Sequence, residues 1–112
     1  MNRALLLSSI IATLALPGQS LAGYTGLRTI TNVGCHLNDT TCWVEIAGPA
    51  VGPEICRNNN LRFSTNSPNG KNILSLVTAA FLAGKQVNLN FPDTTCYADQ
   101  SPFPTIYWLN FT

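Results

Sequence analysis

Apolar and polar positions alternate over several short runs of this chain, and a single segment follows a helical period. Residues 24–33 are rich in β-branched and aromatic side chains, with Leu27, Thr29, Thr31 and Val33 on one alternate face, which predicts strand one. Residues 34–40 have turn composition. Residues 41–47 predict strand two, with Cys42, Val44 and Ile46 facing away from Trp43 and Glu45. The run Gly48-Pro49-Ala50-Val51-Gly52-Pro53 excludes regular structure. Residues 61–65 predict a short strand three, and 66–70 another turn. Over 71–83, Ile73, Leu74, Val77, Ala80 and Phe81 recur at helical spacing, and Gly84 stands where a left-handed residue ends a helix. Residues 85–91 predict strand four, with Val87, Leu89 and Phe91 alternating against Asn88 and Asn90. A loop over 92–102 leads to strand five at 103–111. The order β-β-β-α-β-β is mainly β with one helix, the order of an OB-fold-like five-stranded Greek-key barrel. Closure would remove the exposed edges that so few charged residues could guard.

The first 22 residues read differently. Met1-Asn2-Arg3 is a short basic start, 4–16 is almost wholly apolar, Pro17-Gly18 interrupts it, and Ser20-Leu21-Ala22 offers small residues to a signal peptidase. This predicts a signal peptide at 1–22, cleavage after Ala22, and one domain at 23–112 that is secreted or periplasmic. The apolar run falls short of the ~20 residues that span a bilayer, so no membrane span is expected. Four cysteines at 35, 42, 56 and 96 in an exported chain predict two disulfides. Three pairings are open. The favoured one is Cys35–Cys42, closing a hairpin tip, with Cys56–Cys96 tying distant strand ends. Loop-closure entropy assigns these about 2.5 and about 4 kcal/mol.

Without Arg3, five basic residues balance five acidic ones from residue 23 onward. A near-zero charge argues against nucleic acid, which demands a basic footprint, and against docking on anionic lipid. Asparagine and threonine, 11 of each in that stretch, supply the polar surface instead and suit uncharged partners such as glycans. Catalytic chemistry is poorly provided. His36 is the one histidine, no G-x-S-x-G elbow exists, and Asp39 with Glu45 is a carboxylate pair without further support. No C-x-x-C spacing favours zinc, so neither metal nor cofactor is expected. Tyr24, Trp43, Tyr97, Tyr107 and Trp108 are amphipathic rings suited to interfaces and sugar faces, or to the core. The helix carries no charge between Lys71 and Lys85. Its outward positions include Ser75, Ala79 and Leu82, which suggests packing against another subunit. Asp-Thr-Thr-Cys occurs at 39–42 and again at 93–96, and reads as turn chemistry.

Three features resemble a known group: Tyr24-Thr25-Gly26 opening strand one, a cysteine among aromatic and aliphatic residues in strand two, and Ala83-Gly84-Lys85-Gln86-Val87 running from helix into strand four. They resemble the secreted OB-fold B subunits of bacterial AB5 toxins, of the subtilase-cytotoxin and typhoid-toxin type. The chain is also similar to small secreted proteobacterial proteins with a GK-x-V element after the helix. The toxin resemblance implies a homo-oligomeric ring that binds glycans or glycoproteins and can carry an A-type toxin subunit. It implies that Thr25, beside Tyr24 and before Gly26, contacts the sugar, and that Phe91 or Asn90 in strand four contributes. Alternatively, the chain is a periplasmic or secreted accessory or inhibitor that binds another protein.

Overall fold

A computed structural model describes residues 23–98 and 102–111, so the segment read as a signal peptide lies outside the described residues. The chain forms β1 (Gly23–Arg28), β2 (Ile30–Cys35), β3 (Thr41–Ile46), a 3-10 turn (Glu54–Cys56), β4 (Asn60–Ser64), α1 (Gly70–Ala83), β5 (Val87–Phe91) and β6 (Trp108–Asn110). All strand pairings are antiparallel. Sheet A has the order β1-β5-β6 and sheet B the order β2-β3-β4. Among the described residues the fold is therefore mainly β with one α-helix.

The two sheets share one core. Val44, Ile46, Leu61 and Phe63 from sheet B and Val87, Leu89 and Leu109 from sheet A meet Ile73, Val77 and Ala80 of α1. Alternation along β3, β4 and β5 places every second residue inward, as a half-buried strand requires. Gly84 ends α1 at φ 71°, where its N–H and that of Lys85 cap the last turn. Gly70 opens the helix against the Ser64 carbonyl, a spot with no room for a Cβ.

Two expectations are corrected. The run 24–33 is not one strand. It breaks at Thr29, and its halves belong to different sheets. Register shifts between Tyr24 and Leu27, and between Ile30 and Asn32, reverse the alternation. Hence Ile30 is buried, while Leu27, expected on one face with Val33, is 55% exposed although Val33 packs against the core. The second correction concerns closure. Residues 103–111 provide just three ladder residues, because Pro102 and Pro104 lack the N–H a ladder needs. Instead of a closed ladder, a lone parallel bridge, Arg62 to Thr105, links β4 to this segment. Within α1, Phe81 is also turned outward, at 41% exposure, together with Leu76 and Leu82.

Both disulfides take the favoured pairing. Cys35 and Cys42 are register partners on β2 and β3, and Cys56 joins Cys96 across 40 residues.

Candidate functional site

Sheet A has one face in the core and one outside. Leu89 pairs with Leu109 on the buried side. On the other side, Tyr24, Asn90 and Trp108 form a row across the three strands, and Leu27, Asn88 and Asn110 form the next. Tyr24 is 58% exposed and Trp108 42%. Their rings meet edge to face at 5.4 Å and roof Asn90, which is consequently 7% exposed although it points away from the core. The Asn90 amide donates to the Gly23 carbonyl at 3.4 Å. Asn88 donates to Asn110 at 3.3 Å, so an amide pair lies beside the aromatic pair.

A β-bulge positions this face. Thr25 and Gly26 stand opposite Leu89, and Gly26 adopts φ 75°, which glycine tolerates without a Cβ penalty. The Thr25 hydroxyl accepts the Leu89 N–H at 3.0 Å and donates to the Gly26 carbonyl at 2.7 Å. Asn88 Oδ1 accepts the Gly26 N–H at 3.0 Å. Arg28 fastens the strand end to the loop after β3 through the carbonyls of Ala47 and Pro49.

The four residues expected to touch sugar therefore separate. Tyr24 and Asn90 share the outer face, with Asn90 beneath the rings. Thr25 sits in the bulge with its hydroxyl engaged by backbone. Phe91 faces the other way, covers Gly23 so closely that a Cβ there would lie 2.5 Å from its ring, and lines a groove of about 510 Å³ with Val51, Pro53, Glu54, Arg57 and Asp93. Asn88, whose amide the sequence offers together with Asn90, shares the outer face, and the structure adds Trp108, Leu27 and Asn110 to it. Trp108 was visible in the sequence as an amphipathic ring, but its side of the strand was not, because the preceding residues 102–107 do not alternate.

The remaining polar groups are spread out. His36 contacts Asp39 at 3.0 Å in the β2–β3 turn, while Glu45 lies on the outer face of sheet B. The Asp39 carboxyl is held below its ordinary value by the Thr41 backbone N–H and, secondarily, by His36. Among the described residues no three His, Cys, Asp or Glu side chains gather as metal ligands. Likewise, no described helix is long and apolar enough to cross a membrane. No known protein family, curated protein or solved structure matches the chain.

Proposed function

We propose that this chain is an exported, non-catalytic binding module that presents the outer face of sheet A to a glycan. The observation that carries the reading is the row Tyr24–Asn90–Trp108, two half-exposed rings fixed at 5.4 Å beside the Asn88–Asn110 amide pair. Rings offer an apolar surface to the C–H face of a sugar, and an amide both donates and accepts, as sugar hydroxyls do. Two disulfides fit the oxidising compartment that a signal at 1–22 would reach. An OB-type path is part of the proposal. It is supported by β1 and β2 as two halves of one run, by the helix between β4 and β5, and by the parallel Arg62–Thr105 bridge.

One such face binds weakly, and several in a ring gain through effective concentration. The α1 surface beyond Lys71, which is uncharged and has Leu76, Phe81 and Leu82 exposed, supports self-association in the manner of a toxin B subunit. It equally supports the second reading, an accessory or inhibitor that binds another protein. A glycan array followed by titration tests the first. Tyr24→Ala and Trp108→Ala should each abolish measurable binding while the far-ultraviolet circular dichroism stays native. Binding that survives both changes would remove the site.

A further inference from the structure

The outer face of sheet B carries a second arrangement that the sugar-facing row of sheet A does not use. Gly34, Trp43 and Arg62 form one cross-strand row there. The indole lies over Gly34, where any Cβ would collide with the ring. Its Nε1–H donates to Asn32 Oδ1 at 2.7 Å. The Arg62 guanidinium sits 3.6 Å from the Phe103 ring centroid and 5.6 Å from that of Trp43. Its Nε donates to Asn60 Oδ1 at 3.3 Å. The backbone on both sides is pinned, since the Arg62 N–H donates to the Pro104 carbonyl and the Thr105 hydroxyl donates to the Arg62 carbonyl.

Among the described residues Arg62 forms no ion pair with a carboxylate. A flexible cation is thus stacked and oriented, with neither Nη group hydrogen-bonded among the described residues. A planar fork held in that way matches a carboxylate in two parallel hydrogen bonds. The next row along contains Asn32, Glu45 and Asn60. Asn32 and Asn60 use their oxygens on the rings' side, leaving amide N–H donors, and Glu45 supplies acceptors for hydroxyls.

We infer that the Trp43–Arg62–Phe103 stack is a binding site for a carboxylate carried on a polyhydroxylated ring, an acidic sugar of the uronic type. The carboxylate meets the Arg62 fork, and the ring hydroxyls meet the Asn32, Glu45 and Asn60 row. This site shares with the proposed function the premise of a sugar ligand, but it stands on the opposite sheet.

The test is a nuclear magnetic resonance titration of the disulfide-intact protein with glucuronate, glucose and acetate. Glucuronate should move the Trp43 indole N–H and Arg62 Nε–H signals saturably and leave the Trp108 indole in place. Glucose should move neither Trp43 nor Arg62. Arg62→Lys keeps the charge and loses the fork, and should weaken glucuronate by about tenfold or more. Phe103→Leu should weaken it while the fold is retained. Absence of a saturable shift, unchanged affinity in Arg62→Lys, or acetate binding as tightly as glucuronate would each overturn the proposal. Failure of the sheet A reading shows separately, as a Trp108 signal that no neutral glycan moves.

Discussion

At the scale of single residues, several side chains do backbone work. Thr25 replaces a ladder carbonyl, because the bulge leaves Leu89 N–H without a main-chain acceptor and the hydroxyl takes it. Thr25→Val keeps the branched shape and strands that N–H. It should lower stability by about 1–2 kcal/mol in urea unfolding, and a loss of sugar binding would then follow from disorder of the bulge. Unchanged stability would mean that water satisfies Leu89. Gly34 is similarly constrained from the other sheet. Gly34→Ala forces Trp43 off the strand and should cost roughly 1–3 kcal/mol, with a shift of the Trp43 indole signal as the local sign. Asp39 sets a pH dependence. Its folded-state carboxyl lies below the ordinary value, chiefly through the Thr41 N–H and then His36, so the folded state gains from its ionised form. That contribution is present above the unfolded carboxyl's titration and is lost as pH falls through the depressed folded value. Asp39→Asn should lower stability at neutral pH, leave it unaltered below the carboxyl's titration, and so flatten the acid limb of the stability profile measured by urea unfolding. Turn chemistry at Asp39 was readable from its spacing to Thr41. Burial of Asn90 was not, since it depends on Tyr24 and Trp108 arriving from strands more than fifteen residues away in sequence.

At the scale of elements, legibility followed local periodicity. β3, β4, β5 and α1 each carry an uninterrupted period of their own, and each forms within a residue or two of its expected bounds. The run 24–33 was unreadable as two strands because β-branched composition persists through Thr29, and the division is made by pairing: Tyr24 to Arg28 answer β5, while Ile30 to Cys35 answer β3. The chain near 102–107 failed for the opposite reason, as prolines suppress the ladder that its aromatics suggest. The helix was legible in extent but not in aspect. Its buried stripe is Gly70, Ile73, Val77 and Ala80, which turns Phe81 out beside Leu82. Two substitutions separate these faces. Ile73→Ala removes core volume and should cost about 2–5 kcal/mol in denaturant unfolding. Leu82→Glu alters a residue that is 79% exposed and should stay within about 0.5 kcal/mol of wild type. If α1 joins copies of the chain, Leu82→Glu should also convert the assembly to monomer in native mass spectrometry. An unchanged mass would show that the helix face is not the joint.

At the scale of the whole molecule, the question is what holds two separate ladders together. The core supplies non-directional burial, with β-strand side chains of both sheets and α1 in one cluster. Directional links between the sheets include the covalent passage through Thr29, the Arg28 bonds to Ala47 and Pro49, the Thr41–Tyr97 hydroxyl pair, the Arg62–Thr105 bridge and the Cys56–Cys96 disulfide. The two disulfides therefore differ in kind. Cys35–Cys42 repeats a pairing that the β2–β3 ladder already makes. Cys56–Cys96 anchors the loop after β5, and through the Cys96–Pro104 bridge it positions the segment that reaches Arg62. Loop-closure entropy gives ~2.5 kcal/mol for the short link and ~4 kcal/mol for the long one. Replacing each pair by alanine should reproduce that order in urea unfolding. Hydrogen exchange should discriminate further. Without Cys56–Cys96, the Arg62 and Tyr97 amides, which donate to Pro104 and Phe103, should lose protection first, while the β2–β3 amides remain protected. Loss of the Cys35–Cys42 link should leave Arg62 protected. Equal deprotection in both variants would mean that the sheets unfold as one unit and that the core alone joins them. The expected order instead makes the long disulfide the element that keeps Phe103 over Arg62, so the same variant should weaken glucuronate at sheet B and spare the Tyr24–Trp108 face of sheet A.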